Sequence, residues 1–130
     1  MIENIVPVPA PRMSRRDRFD PRPCVVRFRD YGIELRSHFT AAELPTNYLL
    51  VFYLPMPKSW SKKKKRSHLF QPHKKTPDKD NLEKGLLDSL FYHEDKNDCC
   101  IWDGRVIKLW SEEGAIAIYE TECLLEKINV

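Results

Sequence analysis

No stretch of this sequence stays apolar for long. The longest run, Tyr48 to Leu54, is far too short to cross a bilayer, so no membrane span is expected. The N-terminus, MIENIVPVPAPRM, has no apolar core behind a basic start and does not read as a secretory signal. An intracellular, cytoplasmic protein is the expectation. Cysteine is sparse, and Cys24, Cys99, Cys100 and Cys123 form no C-x-x-C unit. Reduced, mostly buried thiols are expected. The competing reading is a zinc site built from His93 with Cys99 or Cys100, although that spacing matches no common ligand pattern. Internal repeats are absent. Acidic residues are missing altogether from Leu44 to Pro77.

That last absence is half of a charge asymmetry hidden by a net charge of only +3. Residues 1–75 carry 16 Lys/Arg against 6 Asp/Glu, a balance of +10, and residues 76–130 carry 6 against 13, a balance of −7. A polyanion is drawn to the first part and cations to the second. At 130 residues there is room for a single domain with one core.

Residues 1–23 hold five of the ten prolines and a cluster of Arg12, Arg15, Arg16, Arg18 and Arg22, which reads as an extended arm ahead of a domain over 24–130. Cys24 to Arg29 and Tyr31 to Leu35 read as short strands, and Ser37 to Leu44 as a short helix. Tyr48 to Leu54, ended by Pro55 and Pro57, reads as a central strand buried on both faces. Residues 55–77 form a long, irregular basic loop. Leu82, Leu86 and Leu90 recur at helical spacing with Asp80 or Asn81 as cap, so an acidic helix is expected within 78–92. After a polar connection, Arg105 to Trp110 and Ala115 to Glu122 read as strands joined by a hairpin turn at Ser111–Gly114. The sum is an α/β (α+β) domain: a small mixed sheet packed with one or two helices.

The densest chemistry lies in Asp78-Lys79-Asp80-Asn81-Leu82-Glu83-Lys84, followed by Asp88. Spacing of four puts Asp80, Lys84 and Asp88 on one helical face, away from the leucine stripe. Clustered carboxylates suit a hard divalent cation, and such a cation activates water for phosphodiester hydrolysis. A nearby lysine stabilises charge on phosphoryl oxygens. An ordinary capped helix with an ion-pair ladder would use the same residues. Asp103, between Trp102 and Gly104, is either a turn residue or a third carboxylate brought beside the helix by the following strand. In the basic loop, Lys62, Lys63, Lys64, Lys65 and Arg66, flanked by Lys58, Lys74 and Lys75, suit phosphate contact without sequence readout. Trp60, His68, Phe70 and His73 are candidates for stacking on unpaired bases. A solvated, disordered run is the plain alternative.

From Tyr53 to about Glu120 the sequence resembles the RusA family of Holliday junction resolvases. The resemblance is carried by P-M-P-K-S-W-S-K-K from Pro55, P-D-K-D-N-L-E-K from Pro77, L-D-S-L from Leu87, and D-G-R-V from Asp103. It implies a Mg²⁺-dependent endodeoxyribonuclease, with Mn²⁺ able to substitute, acting as a homodimer on four-way or branched DNA by paired nicks. A bacterial or phage-infected cell is the setting it implies. By position, Asp78, Asp80 and Asp103 match the family's catalytic, metal-holding acids, Lys84 its essential lysine, and Asp88 a recurrent acid. The chain departs from the family where Trp102 replaces one of a usual pair of acids, so Asp95 and Asp98 compete with Asp103 as third ligand. A non-catalytic branched-DNA-binding module and a structural protein remain the alternative classes.

Overall fold

The computed structural model describes residues 1–92 and 98–122. In chain order the elements are β1 (Ile2–Glu3), α1 (Pro23–His38), β2 (Asn47–Pro55), α2 (Lys62–His68), α3 (Lys79–Leu90), β3 (Asp103–Ser111) and β4 (Ala115–Glu120). Single 3₁₀ turns lie at Arg15–Arg18 and Asp98–Cys100. The four strands form one mixed sheet in the order β1-β4-β2-β3. The expected mixed sheet is therefore present, with three helices where one or two were expected.

Strand β2 is central, as its apolar run requires. It pairs in parallel with β3, from Asn47↔Asp103 to Pro55↔Ser111, and antiparallel with β4, from Tyr48↔Glu120 to Tyr53↔Ala115. The expected hairpin between the last two strands is therefore not formed. The short link Glu112–Gly114 carries the chain over the end of β2, and β2 lies between the two strands. Short connections with turn residues usually join paired strands. Here the parallel β2–β3 ladder occupies the edge that such a hairpin would use.

Helix α1 replaces the two strands expected at Cys24–Arg29 and Tyr31–Leu35. Pro23 opens it at a position where a missing N–H is harmless. Val25, Phe28, Tyr31, Gly32 and Leu35 then recur every three or four residues and face the core, while Val26 is exposed. The Val25-Val26-Phe28 cluster mimics strand composition, but its burial period is 3.6. Of the helix expected over Ser37–Leu44, Ser37 and His38 end α1 and the rest is a turn, closed by hydrogen bonds from Glu43 N to Thr40 O and Leu44 N to Ala41 O.

Helices α1 and α3 cover one face of the sheet. Leu35 and Phe39 of the α1 region and Leu82, Leu86 and Leu90 of α3 meet Leu50, Phe52, Leu54, Ile116 and Ile118 in one core. Paired residues project to the same side, so the opposite face carries Leu49, Val51 and Tyr53 with Ile107, Leu109 and Tyr119. Among these Tyr119 is 46% exposed and Leu49, Tyr53, Ile107 and Leu109 are half-buried. Val51 on this face is buried, so β2 is fully sealed on the helix side and partly covered on the other. No helix of the described residues is long and apolar enough to cross a membrane.

The proline- and arginine-rich N-terminal segment is extended but not loose. Ile2–Glu3 pairs with Ile116 and Ala117 of β4, and Ile5 and Val8 lie in the core. Asp17, 1% exposed, accepts hydrogen bonds from Ser14 N (2.8 Å) and from Arg22 Nε (3.1 Å) and a terminal Arg22 nitrogen (3.0 Å). The Arg22 guanidinium foremost, then the Ser14 amide, hold its carboxyl well below the usual carboxylate range. The cysteines do not follow expectation: Cys24 and Cys99 are exposed and Cys100 is half-buried, all as free thiols. Cys123 and His93 lie outside the described residues.

Gly114 shows how tightly the N-terminal segment is bound. A Cβ placed there would lie 2.6 Å from Val6 Cα and 2.7 Å from Val6 Cγ2. Gly114→Ala must push that backbone away from β4, and overpacking of this kind costs roughly 1–3 kcal/mol. A lowered melting temperature is expected, and an unchanged one would show that the segment yields freely.

Candidate nucleic-acid interface and acidic site

The basic loop contains a helix that sequence reading missed. Ser61 caps α2, its hydroxyl accepting from Lys64 N at 3.2 Å. Lys62, Lys63, Lys64 and Arg66 are exposed along it, as are Lys58, Lys74 and Lys75 outside it, and Lys65 is half-buried. A short helix of like charges has little stability of its own. An aromatic cluster holds it in place. Trp60 packs against His68 (ring centroids 4.7 Å apart) and against Trp110 of β3 (4.8 Å), and Lys64 Nζ sits 4.3 Å above the Trp60 ring.

The segment after α2 is stitched to the free edge of β3. Phe70 N donates to Trp110 O, Trp110 N to Gln71 O, and His73 N to Lys108 O. His73 stacks on Trp110 at 4.0 Å and is only 6% exposed. Of the four rings expected to stack on bases, His73 is therefore buried, and Trp60 and His68 are half-buried in the protein's own cluster. Phe70 alone is well exposed, at 58%.

Farther along, Lys108 Nζ donates to the carbonyl oxygens of Lys75 and Pro77, each at 2.6 Å. The carbonyls lie three residues and one residue before Asp78, whose charge acts on Lys108. The register places Lys108 opposite Phe52, between Val106 and Trp110 on the helix-covered face. No sequence signal singles it out: the apolar residues of Arg105-Val106-Ile107-Lys108-Leu109-Trp110 do not alternate, and only the register puts Lys108 on the core face.

Asp78 caps α3 in backbone conformation, but its side chain makes no capping hydrogen bond. Asp78 and Asp80 are both exposed. Lys84 Nζ lies 3.0 Å from the Asp88 carboxylate in an exposed pair, so in the free protein the helix lysine points along α3. Asp103 opens β3 and is half-buried. It stands five residues before Lys108, about 16 Å along an extended strand. Its neighbourhood is a second polar group: Tyr48 OH donates to Glu83 Oε2 at 2.8 Å, and a Cβ at Gly104 would lie 3.0 Å from that same oxygen. Burial foremost, then the Glu83 carboxylate and the charge of Asp98, push the Tyr48 hydroxyl far up. Asp98 is exposed, and Asp95 lies outside the described residues.

The donor chemistry of Asp78, Asp80 and Asp103 suits a hard cation, and no side chain among the described residues hydrogen-bonds to Asp80 or Asp103. Also among the described residues, no three His, Cys, Asp or Glu side chains gather as a set that could hold an ion. What the fold does bring together is the basic helix and the start of the acidic one. The first is anchored at Trp110 and the second at Lys108, two residues apart on the same face of β3, about 7 Å.

A family model described as Endodeoxyribonuclease RusA matches residues 7–119. An uncharacterized protein, YqaN of Bacillus subtilis (strain 168), is 37% identical over 79 residues, covering 57% of this chain and 55% of the relative. The chain thus spans about half the length of the curated relative it matches.

The buried ring of His73 gives the site a pH dependence. Burial first, and then the Lys108 charge, lower its pKa from 6.5. The folded state resists a proton that the unfolded chain accepts, so this contribution is complete above about pH 6.5 and is lost as pH falls toward the lowered folded value. Thermal melts from pH 8 to pH 5 should show a fall that is smaller in His73→Gln. Equal slopes in the two proteins would place the titration elsewhere.

Proposed function

Because the chain belongs to the RusA family of endodeoxyribonucleases, we propose that it is a structure-selective endonuclease that resolves four-way or branched DNA by paired phosphodiester nicks. The observation that carries this reading is the anchoring of the lysine helix and of Asp78 to neighbouring positions of β3. Phosphates held by Lys62, Lys63, Lys64 and Arg66, with Lys58, Lys74 and Lys75 beside them, would run toward the carboxylates of α3. These contacts are sequence-independent, which suits recognition of DNA by shape.

Asp78 and Asp80 would hold Mg²⁺, or Mn²⁺ in its place; Asp103, the third acid by position, does not gather with them in this fold and would have to be drawn in when the ion and DNA bind. Bound there, the ion would supply Lewis-acid polarisation and an activated water. The protein's own residues supply the rest. The lysines of α2 bring the strand in, and the segment 70–78, fixed to β3, keeps strand and carboxylates in one frame. Lys84 serves the phosphoryl group by leaving Asp88. Exposed ion pairs of that kind are worth roughly 0–1 kcal/mol, so the exchange is easily made. Asp88 then remains as a nearby acid facing the freed lysine.

Paired nicks need two sites, and one chain holds a single acidic helix. A homodimer supplies the second site. The apolar face of Leu49, Tyr53, Ile107, Leu109 and Tyr119, turned away from the helices, suits an isologous contact. Sedimentation should give twice 15.4 kDa, and Leu109→Glu should return the mass to 15.4 kDa. A wild-type protein that sediments only as 15.4 kDa, with and without junction DNA, would remove the dimer.

The test of the activity is a synthetic four-way junction compared with linear duplex. Junction cleavage is expected with Mg²⁺ or Mn²⁺ and none with chelator. Asp80→Asn should retain fold and junction binding while losing cleavage, since Asp80 lies in the first turn behind the Asp78 cap and asparagine keeps its size but cannot hold a hard cation by charge. Replacing Lys62 to Lys65 by alanine should weaken binding and flatten its salt dependence. Rapid cutting by Asp80→Asn, or cutting untouched by chelator, would overturn the metal-nuclease reading. Binding of junctions without cleavage by the wild type would favour a non-catalytic DNA-binding module.

A further inference from the structure

Lys108 occupies a position that the strand pattern reserves for an apolar side chain. Its neighbours on the same face are Val106, packed against the core, and buried Trp110. Its register partner Phe52 is fully buried. A lysine can lie there because its methylene stem covers apolar surface while the ammonium reaches past it. The ammonium goes to two backbone acceptors two residues apart, Lys75 O and Pro77 O, at 2.6 Å each. Charge-assisted bonds of that length are the strong class. The next residue is Asp78, and α3 starts one residue later.

We infer that Lys108 is a positioning residue, fixing the Lys75–Pro77 backbone on β3 and thereby setting where the Asp78 carboxylate and the first turn of α3 stand. This inference rests on the nuclease reading above. It assigns a role to a residue outside the acid-and-lysine motif.

The other contacts are weaker anchors for this segment. His73 is bonded through its backbone to Lys108 O and by its ring to Trp110, but it lies five residues before Asp78. Lys75 N donates to the His73 ring Nδ1 over a long 3.4 Å, and the Lys108 ammonium supplies the short bonds that tie residues 75–77 directly to the sheet. Asp78 itself makes no side-chain capping bond that would hold it to its own helix. Without Lys108, the approach to Asp78 is hinged at His73 and free to shift. A displacement of the order of an ångström at a reacting group is enough to lower a rate about 10²-fold.

The experiment compares wild type, Lys108→Met and Lys108→Gln under saturating protein in single-turnover cleavage of a four-way junction. Lys108→Met keeps the apolar stem and removes both bonds, and its rate should fall about 10²-fold while junction affinity is retained. Lys108→Gln keeps a donor and should fall between the two. In metal-free protein without DNA, the amide resonances of Lys75, Thr76, Asp78, Lys79 and Asp80 should move in Lys108→Met, while those of α1 and β4 stay in place. Wild-type rates in Lys108→Met, or losses that merely track its folded fraction, would overturn the inference. So would unmoved amides at Asp78 to Asp80. Should the wild type cut no branched DNA, the nuclease reading fails by itself, and the amide shifts decide alone whether Lys108 sets the position of Asp78.

Discussion

Strand β2 has hydrogen-bonded neighbours on both edges, one parallel and one antiparallel, and the rest of the molecule follows from that arrangement. A parallel neighbour cannot be reached by a tight turn, so the chain between β2 and β3 must cross over a face of the sheet. That crossover contains α2, the stitched segment and α3. It returns α3 alongside β3 with Asp78 near Lys108 and Glu83 near Gly104, so helix and strand run in opposite directions. The antiparallel neighbour β4 is reached by passing over the end of β2, and it then accepts β1 on its far side. In this way the N-terminal segment and the final strand close one edge together.

The other edge belongs to β3, and a bare strand edge is a hazard for unwanted pairing. The protein covers it with its own backbone at residues 70–73. The same cover also positions charged groups. It fixes a lysine-rich helix that could not hold itself together, and it leads directly into the carboxylates of α3. Edge protection and site assembly are thus one construction, built around Trp110 and Lys108.

Charge follows the same division. The acid-free stretch from Leu44 to Pro77 contributes a helix whose lysines form no ion pair among the described residues. The N-terminal arginines differ. Arg22 is spent on buried Asp17, and Arg16 pairs with Asp20. A basic residue count alone would have treated the two clusters alike, although tertiary partners make one of them structural.

The strongly periodic parts of the fold were legible in order of residues. Leu82, Leu86 and Leu90 announced α3, and the run Tyr48–Leu54 announced a central strand, because each pattern needs only local spacing to show itself. The acid motif at Asp78 and Asp80 and the lysine block were legible for the same reason. What misled was local composition without a partner. Val25, Val26 and Phe28 have strand character, yet packing against α3 and the N-terminal segment selects the helix in which only some of them are buried. The link at Ser111–Gly114 has hairpin chemistry, yet strand β2, far upstream, takes the place between its arms. Lys108 looks like any strand lysine until the register shows it on the core face, and Trp60 and His73 look like base-stacking rings until β3 supplies Trp110. The sequence by itself determined the central strand, helix α3, the charge layout and the positions of the carboxylate and lysine motifs, since these depend on neighbours along the chain. Only the tertiary structure decided strand order, which rings and lysines are spent on the protein itself, and what stands beside Asp78. Those depend on contacts between residues far apart in sequence, whose geometry exists only once β2 is paired on both sides.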